Sequence, residues 1–382
     1  MKKKIIRVTT LSVSMRGLLR GQLRFMSNYY DILGVGSRGE NNEIENLSKD
    51  EGISVFPIEM TRKITPIKDI IAVWKLYKLF KKEKPFIVHS HTPKAGTLSM
   101  LAAKLAKVPN RLHTIAGLPL VEAKGFKRMV LNLVEKITYW CATKIYPNSY
   151  SLADFILESK FTSQRKIKVI ANGSSNGIDI SYFDPALFED KYKIEILKKE
   201  LNITNTDFVF VFAGRLVKDK GINELVSAFK KINDKFPNTK LLMLGFYENE
   251  LDPLLPKTVE EINTNSNIIH TGWVNDIRPY LKISNALVFP SYREGFPNIV
   301  MQAGAMGLPA IVTDINGCNE IIIEGENGTI IPVKNDIVLY KKMVEFLTNK
   351  SKYSNDKCRC LITSRYQQSH VWNCLLEEYN KL

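Results

Sequence analysis

The stretch Ala286–Val333, ALVFPSYREGFPNIVMQAGAMGLPAIVTDINGCNEIIIEGENGTIIPV, leaves this chain few folds to choose from. Ala286–Pro290 is a short apolar run of the kind that fills a strand buried on both faces. Ser291–Pro297 is a loop holding an acid, a glycine and a proline. From Asn298 the apolar residues Ile299, Val300, Ala303 and Met306 recur at helical spacing, until Gly307-Leu308-Pro309 stops the helix. Ala310–Thr313 then reads as a second strand. Strand, loop, helix and strand in that order is the grammar of a parallel α/β sheet. It sets Glu294, Gly295 and Phe296 at the carboxyl end of a strand, and Asn298 at a helix amino terminus. Such sheets bind ligands there. Free N–H groups and the positive helix end suit the place to an anion such as a diphosphate.

The same residues carry a resemblance. Glu294 and Gln302, with seven residues between them, lie inside S-x-R-E-G-F-P-N-x-V-x-Q-A-x-A-x-G-x-P. This string resembles the nucleotide-sugar signature of the family-4 glycosyltransferases, retaining enzymes of the GT-B fold, in the capsule and O-antigen polysaccharide branch. The resemblance implies an α/β protein of two Rossmann-like domains facing a central cleft. The family pattern is Glu-x7-Glu, and here Gln302 replaces the second acid. By resemblance, Glu294 faces the donor sugar and Gln302 binds the ribose hydroxyls. A carboxamide oxygen still accepts from a hydroxyl, without the charge-assisted component. Gly214, Gly295, Phe296 and Asn298 complete the expected donor site.

The other motifs extend this reading. Phe208–Ala213 is a continuous apolar strand running into Gly214-Arg215-Leu216-Val217-Lys218-Asp219-Lys220-Gly221. The segment is similar to the family's G-R-L-x(n)-K-G element, which implies that Arg215 and Lys220 hold the donor diphosphate. Two cations at a strand end beside a helix start make an electrophilic clamp for a departing nucleotide. Gly272-Trp273-Val274-Asn275-Asp276 resembles a segment that contacts the nucleotide base, so Asp276 joins the donor set. Arg111–Ile115 gives a strand end whose His113 matches the family's amino-domain histidine near the donor sugar; a satisfied loop histidine is the alternative.

In the first half, Ile5–Thr10 is the first strand and a helix is expected from about Arg16 to Asn28. Its Arg16, Arg20 and Arg24 repeat every four residues, as an exposed basic face or, with Arg16 at the mouth of a strand–helix turn, as acceptor contacts. Thr65-Pro66 opens another helix, with Ile67, Ile70, Ile71, Trp74, Tyr77 and Phe80 as its apolar face. Phe86–Val88 delivers His89-Ser90-His91-Thr92-Pro93-Lys94-Ala95-Gly96, similar to the H-S-H-x-P-K-A-G loop of capsule-type enzymes. His91 and Lys94 are therefore acceptor candidates, with structural histidines as the other reading. The two histidines are expected on opposite faces of the strand, which disfavours a metal pair. Phe126, Met129, Val130, Leu133, Val134, Ile137 and Trp140 trace one helical face beside Lys124, Lys127, Arg128 and Lys136. Such a helix lies on a membrane or packs on its own sheet.

Asn172–Asp179 is a turn-rich connector, where the domain boundary is expected: residues 1–178, joined by a terminal helix 366–382, and residues 179–365. Charge changes at the same place. Residues 1–178 hold 30 Lys plus Arg against 13 Asp plus Glu, and residues 179–382 hold 24 against 26. No helix-turn-helix, zinc-finger or aromatic RNA-binding pattern accompanies the excess, so an anionic membrane surface is the preferred partner of residues 1–178 over nucleic acid. The five cysteines include no Cys-x-x-Cys pair, and neither a disulfide framework nor zinc is expected. There is no Asp-x-Asp pair, so a metal-bridged diphosphate is disfavoured and no cofactor is expected. The implied reaction moves a sugar from a nucleotide diphosphate, with uridine the expected base, to a lipid-linked polyprenyl diphosphate saccharide. It retains configuration, at the inner face of the cytoplasmic membrane. A nucleotide-sugar 2-epimerase of the same fold and a non-catalytic nucleotide-sugar-binding subunit stay open as alternatives.

Overall fold

The computed structural model describes all residues except Met1, 41, 62, 64, 119, 121–124, 249, 251 and 350, together with the side chains of 126, 127 and 191. The chain divides into two compact units, Met1–Gly177 with Gln368–Leu382, and Ile178–Gln367. The expected boundary at 178/179 and the observed one at 177/178 differ by one residue, and the returning helix spans Gln368–Asn380.

The first unit is built on β1 (Lys4–Leu11), β2 (Asp31–Ser37), β3 (Ser54–Pro57), β4 (Ile87–Ser90), β5 (Asn110–Ile115) and β6 (Lys144–Pro147). They are all parallel, in the order β3-β2-β1-β4-β5-β6. Alternation along β1 decides what each side of the sheet receives. Ile6 and Val8 pack with the helices Pro66–Glu83, Pro93–Leu105 and Gly125–Cys141. Ile5 packs on the other side with Met15, Leu19, Leu23 and the returning helix's Leu375 and Tyr379. Arg7 shares that second side and is fully buried.

The second unit has β7 (Phe208–Ala213), β8 (Thr239–Leu244), β9 (Ile268–Gly272), β10 (Ala286–Phe289), β11 (Ala310–Thr313) and β12 (Gly328–Ile331). They too are parallel, ordered β12-β11-β10-β7-β8-β9. All six residues of β7 are buried, as its unbroken apolar run requires. Each sheet reverses direction once, between β1 and β4 in the first unit and between β7 and β10 in the second. Loops leaving neighbouring strands part at such a point and open a crevice.

Three expectations about local structure are corrected. The helix expected over 16–28 is two helices, Ser12–Leu18 and Gln22–Ser27. Gly21 breaks it with φ +78°, and a Cβ there would stand 2.8 Å from the Trp372 ring. The returning helix therefore presses on the break, and Arg16, Arg20 and Arg24 form no continuous stripe. In Pro66–Glu83 the buried face is Ala72, Leu76, Leu79 and Phe80, whereas Ile67, Ile70, Ile71 and Trp74 point to solvent. This helix carries two apolar stripes, and the outer one is interleaved with lysines that keep their ammonium groups in water. Finally, His89 and His91 lie on the same side, with ring centroids 4.2 Å apart, because residues two apart along extended chain share a face.

Candidate active site

The second unit's crevice is formed by the loops after β7 and β10. Gly221 closes the first loop with φ +69°, and a Cβ there would stand 2.1 Å from the Pro290 carbonyl oxygen. Only glycine combines that conformation with that approach, and it brings the β7 loop down onto the β10 loop. Tyr292 N–H then donates to the Asp219 carbonyl at 2.8 Å. Arg293 forks onto Asp219 Oδ2 at 2.8 and 3.1 Å.

The clasp sets Lys220 against Glu294 in an ion pair, both side chains largely buried. Ser291 Oγ donates to the same Glu294 oxygen at 3.0 Å. Arg215 pairs with Glu248 and is more exposed. Gly214 follows β7, and its carbonyl oxygen would meet a Cβ on Gly245 at 1.9 Å, so the chain just beyond β7 and beyond β8 also touches backbone to backbone. Gly295 and Phe296 continue the β10 loop, and a Cβ on Gly317 would crowd both, 2.8 Å from the Gly295 oxygen and from Phe296 Cα. Helix Asn298–Ala305 starts directly afterwards, with no side chain capping its amino end. Asn298 is exposed and Gln302 half-buried on that helix. Cys318 is fully buried near this cluster, and burial, reinforced by the Glu294 charge, pushes its thiol well up. The structure thus gathers Lys220, Glu294, Gly295, Phe296 and the helix start at the switch point, while Arg215, at the start of the same β7 loop, turns to Glu248 after β8.

Asp276 is engaged differently. Its two oxygens accept from Arg278 Nε and Nη2 at 2.8 and 2.7 Å, and Arg278 lies 3.5 Å over the Tyr182 ring. Burial works to raise the Asp276 pKa, but the Arg278 bonds outweigh it and hold the group below its ordinary value. A satisfied, anchored carboxylate fits a structural clamp better than a contact to a base.

In the first unit a polar network that sequence reasoning missed occupies the side of β1 facing the returning helix. Buried Arg7 donates to His91 Nε2 at 3.0 Å, to the Tyr379 hydroxyl at 3.0 Å and to Gln22 Oε1 at 2.5 Å. The Tyr379 hydroxyl, already accepting from Arg7, has its own proton for His89 Nδ1 at 2.5 Å. His89 Nε2 is then protonated and donates to Thr114 Oγ1 at 2.8 Å. His91, accepting from Arg7, is protonated at Nδ1, a buried atom with no hydrogen-bond partner among the described residues. It borders a cavity of about 20 Å³ at the ends of β4, β5 and β6, with Tyr146, Ser174 and Ser175. That is room for one water. The signal for this network was an arginine inside the apolar run Ile5-Ile6-Arg7-Val8.

His91 is therefore buried, which counts against direct contact with an acceptor and for a role in shaping the β4 end. His113, at the end of β5, is also buried; its Nδ1 lies 2.8 Å from Ser90 Oγ, and burial lowers its pKa to about 4. A Cβ on Gly96 would stand 2.3 Å from its ring. Lys94 is tied to Asp69 at 2.7 Å and Arg16 to Asp50 at 2.5 Å. Arg20 is exposed, and its backbone oxygen accepts from Asn176 at 3.0 Å. Among the described residues no group of three or more His, Cys, Asp or Glu is placed to hold a metal, and no helix is long and apolar enough to cross a membrane.

Two parallel sheets, each with one switch point, and a cation–carboxylate cluster at the second are what a GT-B protein provides. Comparison with known proteins agrees. Residues 193–359 match the family model for glycosyl transferases group 1, and residues 20–149 match that for glycosyl transferase 4-like proteins. The chain is 35% identical over 389 residues to the capsular polysaccharide biosynthesis glycosyltransferase CapM of Staphylococcus aureus, covering 99% of this chain and 97% of that one. It is 30% identical to the UDP-Gal:alpha-D-GlcNAc-diphosphoundecaprenol alpha-1,3-galactosyltransferase of Escherichia coli, over 88% and 87% of the two chains. Among solved structures, Anabaena HepE in complex with UDP matches with a TM-score of 0.81 at 15% identity, covering all of both chains. The chain belongs to the group 1, family-4-like glycosyltransferases.

Proposed function

We propose that this glycosyltransferase moves a sugar from a UDP-sugar to a saccharide carried on a polyprenyl diphosphate, during bacterial surface-polysaccharide synthesis. It retains the donor's configuration and uses no metal. The observation that carries the reading is the Lys220–Glu294 ion pair at the second sheet's switch point, with Arg215 on the same loop after β7 and paired to Glu248. Each cation is held by a carboxylate, Lys220 by Glu294 and Arg215 by Glu248. An arriving diphosphate competes for both cations, helped by the uncapped helix start at Asn298. Once Lys220 turns to phosphate, Glu294 is free to accept from a sugar hydroxyl and orient the ring, with Ser291 steadying it. Gln302 takes the ribose. As the leaving diphosphate gains charge, the two cations stabilise it, which is the service a metal gives elsewhere. His113 is neutral at physiological pH and buried with Nδ1 2.8 Å from Ser90 Oγ, so it serves the first unit as a hydrogen-bonding group rather than as a cation.

The acceptor half of the proposal rests on relatives whose names state undecaprenyl-diphosphate acceptors and on the basic first unit. Arg16 and Arg20 are the proposed contacts to the acceptor diphosphate. Peripheral attachment to the cytoplasmic leaflet through residues 1–178 brings enzyme and acceptor together. Of the cations expected at that surface, Lys124 and the Lys127 side chain lie outside the described residues. Thermal-shift screening against UDP-, GDP- and ADP-sugars tests the donor, because a ligand that binds only the folded state raises Tm. Stabilisation by UDP-sugars alone, followed by transfer to a short-chain polyprenyl diphosphate sugar, is the expected result. Stabilisation by another nucleotide, or donor hydrolysis to a free epimerised sugar without acceptor, overturns it.

A further inference from the structure

The helices Pro66–Glu83, Pro93–Leu105 and Gly125–Cys141 cover one side of the first sheet. The middle one is recessed, with most of its residues buried, and the two flanking ones contribute outward apolar stripes. On the first helix Ile67 is 76% exposed, Ile70 71% and Trp74 54%, with Ile71 beside them. These positions follow i, i+3, i+4, i+7 spacing and so form one continuous face. On the third helix Met129, Leu133, Ile137 and Trp140 repeat at i, i+4, i+8, i+11; Leu133 is 60% and Trp140 64% exposed. Side chains of this size exposed in two rows exceed the scattered apolar residues normal on a surface.

We propose that this three-helix face is a lipid-inserting surface, which seats the first unit on an anionic bilayer with Trp74 and Trp140 at headgroup depth. Charge selects this occupant. The three helices carry only three acids. Asp69 is paired with Lys94 at 2.7 Å, Glu83 with Lys4 at 2.6 Å, and Glu135 is buried. Lys68, Lys75, Lys78 and Lys136 are exposed around the stripes. Lys78 Nζ stands 3.5 Å over the Trp74 ring, and Lys104 Nζ 2.9 Å over that of Trp140. An ammonium reaching from an apolar stem across an indole is the arrangement that sits between hydrocarbon and phosphate. A second copy of the chain is a poor occupant, because a two-fold contact sets these lysines against themselves. The surface rests on the lipid-linked acceptor reading for its purpose, but not for its existence.

The full-length chain is tested by co-sedimentation with vesicles of phosphatidylcholine alone and of equal parts phosphatidylcholine and phosphatidylglycerol. Binding to anionic vesicles should persist in part at about 1 M salt, where the screening length is ~3 Å and long-range attraction is gone. The triple variant Ile70→Ser, Trp74→Ser, Leu133→Ser should lose that salt-resistant part by ~10²-fold or more, each apolar side chain carrying roughly a ten-fold effect in partition. Lys68→Gln, Lys75→Gln, Lys78→Gln should lose the low-salt enhancement and keep the residue. Brominated acyl chains should quench tryptophan fluorescence, less so in Trp74→Phe and Trp140→Phe. Unchanged vesicle binding by the serine variant, or no quenching by brominated lipid, overturns the proposal. So does a wild-type dimer that the serine variant converts to monomer without altering lipid binding. Transfer to a short, water-soluble acceptor should survive in the serine variant. If the wild type binds vesicles but transfers to no polyprenyl diphosphate acceptor, the acceptor reading fails and the surface stands.

Discussion

Replacing Gly221 by alanine is the sharpest test of how the donor site is assembled. Two costs arise there, and the structure separates them. At φ +69° an alanine pays the left-handed penalty of about 1–2 kcal/mol. Its Cβ also stands 2.1 Å from the Pro290 carbonyl oxygen, against an ordinary contact of roughly 3.3 Å. The obstacle is backbone, so no side-chain rotation relieves it, and the β7 loop must retreat from the β10 loop by about 1 Å. A misplacement of that size at a reacting centre costs ~10²-fold in rate. Gly325→Ala is the matched control in the same unit: φ is +79°, and nothing lies within 4 Å of the added Cβ. The control should lower Tm by about 2–4 °C per kcal/mol and leave turnover unchanged. Gly221→Ala should lower Tm further and lose ~10²-fold in kcat/KM. Differential scanning calorimetry and a donor-saturated transfer assay read both. If Gly221→Ala matches Gly325→Ala in Tm and keeps turnover within about two-fold of wild type, the clasp does not position Lys220 and the reasoning fails.

Arg215→Ala and Lys220→Ala should each depress turnover by ~10²-fold or more with the fold retained, since in the proposed function each supplies one group that stabilises the leaving diphosphate; near-normal rates in either unseat that residue. Glu294→Gln should lower kcat, because the proposed function sets its carboxylate to orient the reacting sugar, whereas Gln302→Glu should retain activity and shift mainly the donor KM; equal losses from both argue against separate roles. The stability of the first unit should fall with acid. His113 is held to about 4 by burial, and an unfolded histidine titrates near 6.5. The unfolded chain therefore binds the proton first, and stability drops as pH falls from about 6.5 to about 4, by roughly 3 kcal/mol for this group. His89 and His91, also lowered by burial, add the same sign. Chemical denaturation across that range should show the slope, and His113→Asn should lessen it by that residue's share while His89 and His91 keep the remainder; a level wild-type profile refutes the neutral buried histidine.

How much of the fold was legible depended on how many constraints met at each segment. Phe208–Ala213 is apolar at every position and Gly214 follows, so strand and turn were readable together. The Asn298 helix was readable because a loop, an apolar repeat and a Gly-x-Pro stop coincide. The Pro66–Glu83 helix was equally plain as a helix, yet four of the six residues expected on its apolar face, Ile67, Ile70, Ile71 and Trp74, point to solvent, and only Phe80 of the six is buried. Periodicity finds stripes, and here there are two. Which of them meets a sheet is settled by tertiary packing, and the lysines between Ile67 and Lys78 were the only local hint. The helix expected over 16–28 failed for a related reason. Gly21 is tolerated in a helix by local rules, and the partner packed against its break, Trp372, lies in the returning helix, distant in sequence.

The donor cluster shows the same division. Lys220, Glu294 and Arg215 could be named from motif and strand-end position, because sheet topology dictates where loops after β7 and β10 converge. Their partners could not. Glu248 pairs with Arg215 from the β8 loop, and Ser291 and Asp219 brace Glu294 and Arg293 through contacts that no spacing announces. Those partners also bear on chemistry. A lysine with no partner would meet a diphosphate at full charge, but Lys220 is already neutralised by Glu294. On the proposed mechanism, donor binding exchanges one ion pair for another, and its net gain is smaller than two cations suggest. What the exchange adds is selectivity. A ligand with a diphosphate but no sugar draws Lys220 away and leaves Glu294 partly buried with one donor fewer. A complete donor supplies hydroxyls to Glu294 in the same step. If Lys220 and Glu294 act as proposed, intact nucleotide-sugar should therefore bind more tightly than the bare nucleotide, a difference that Glu294→Gln should erase and that calorimetric titration of both ligands measures.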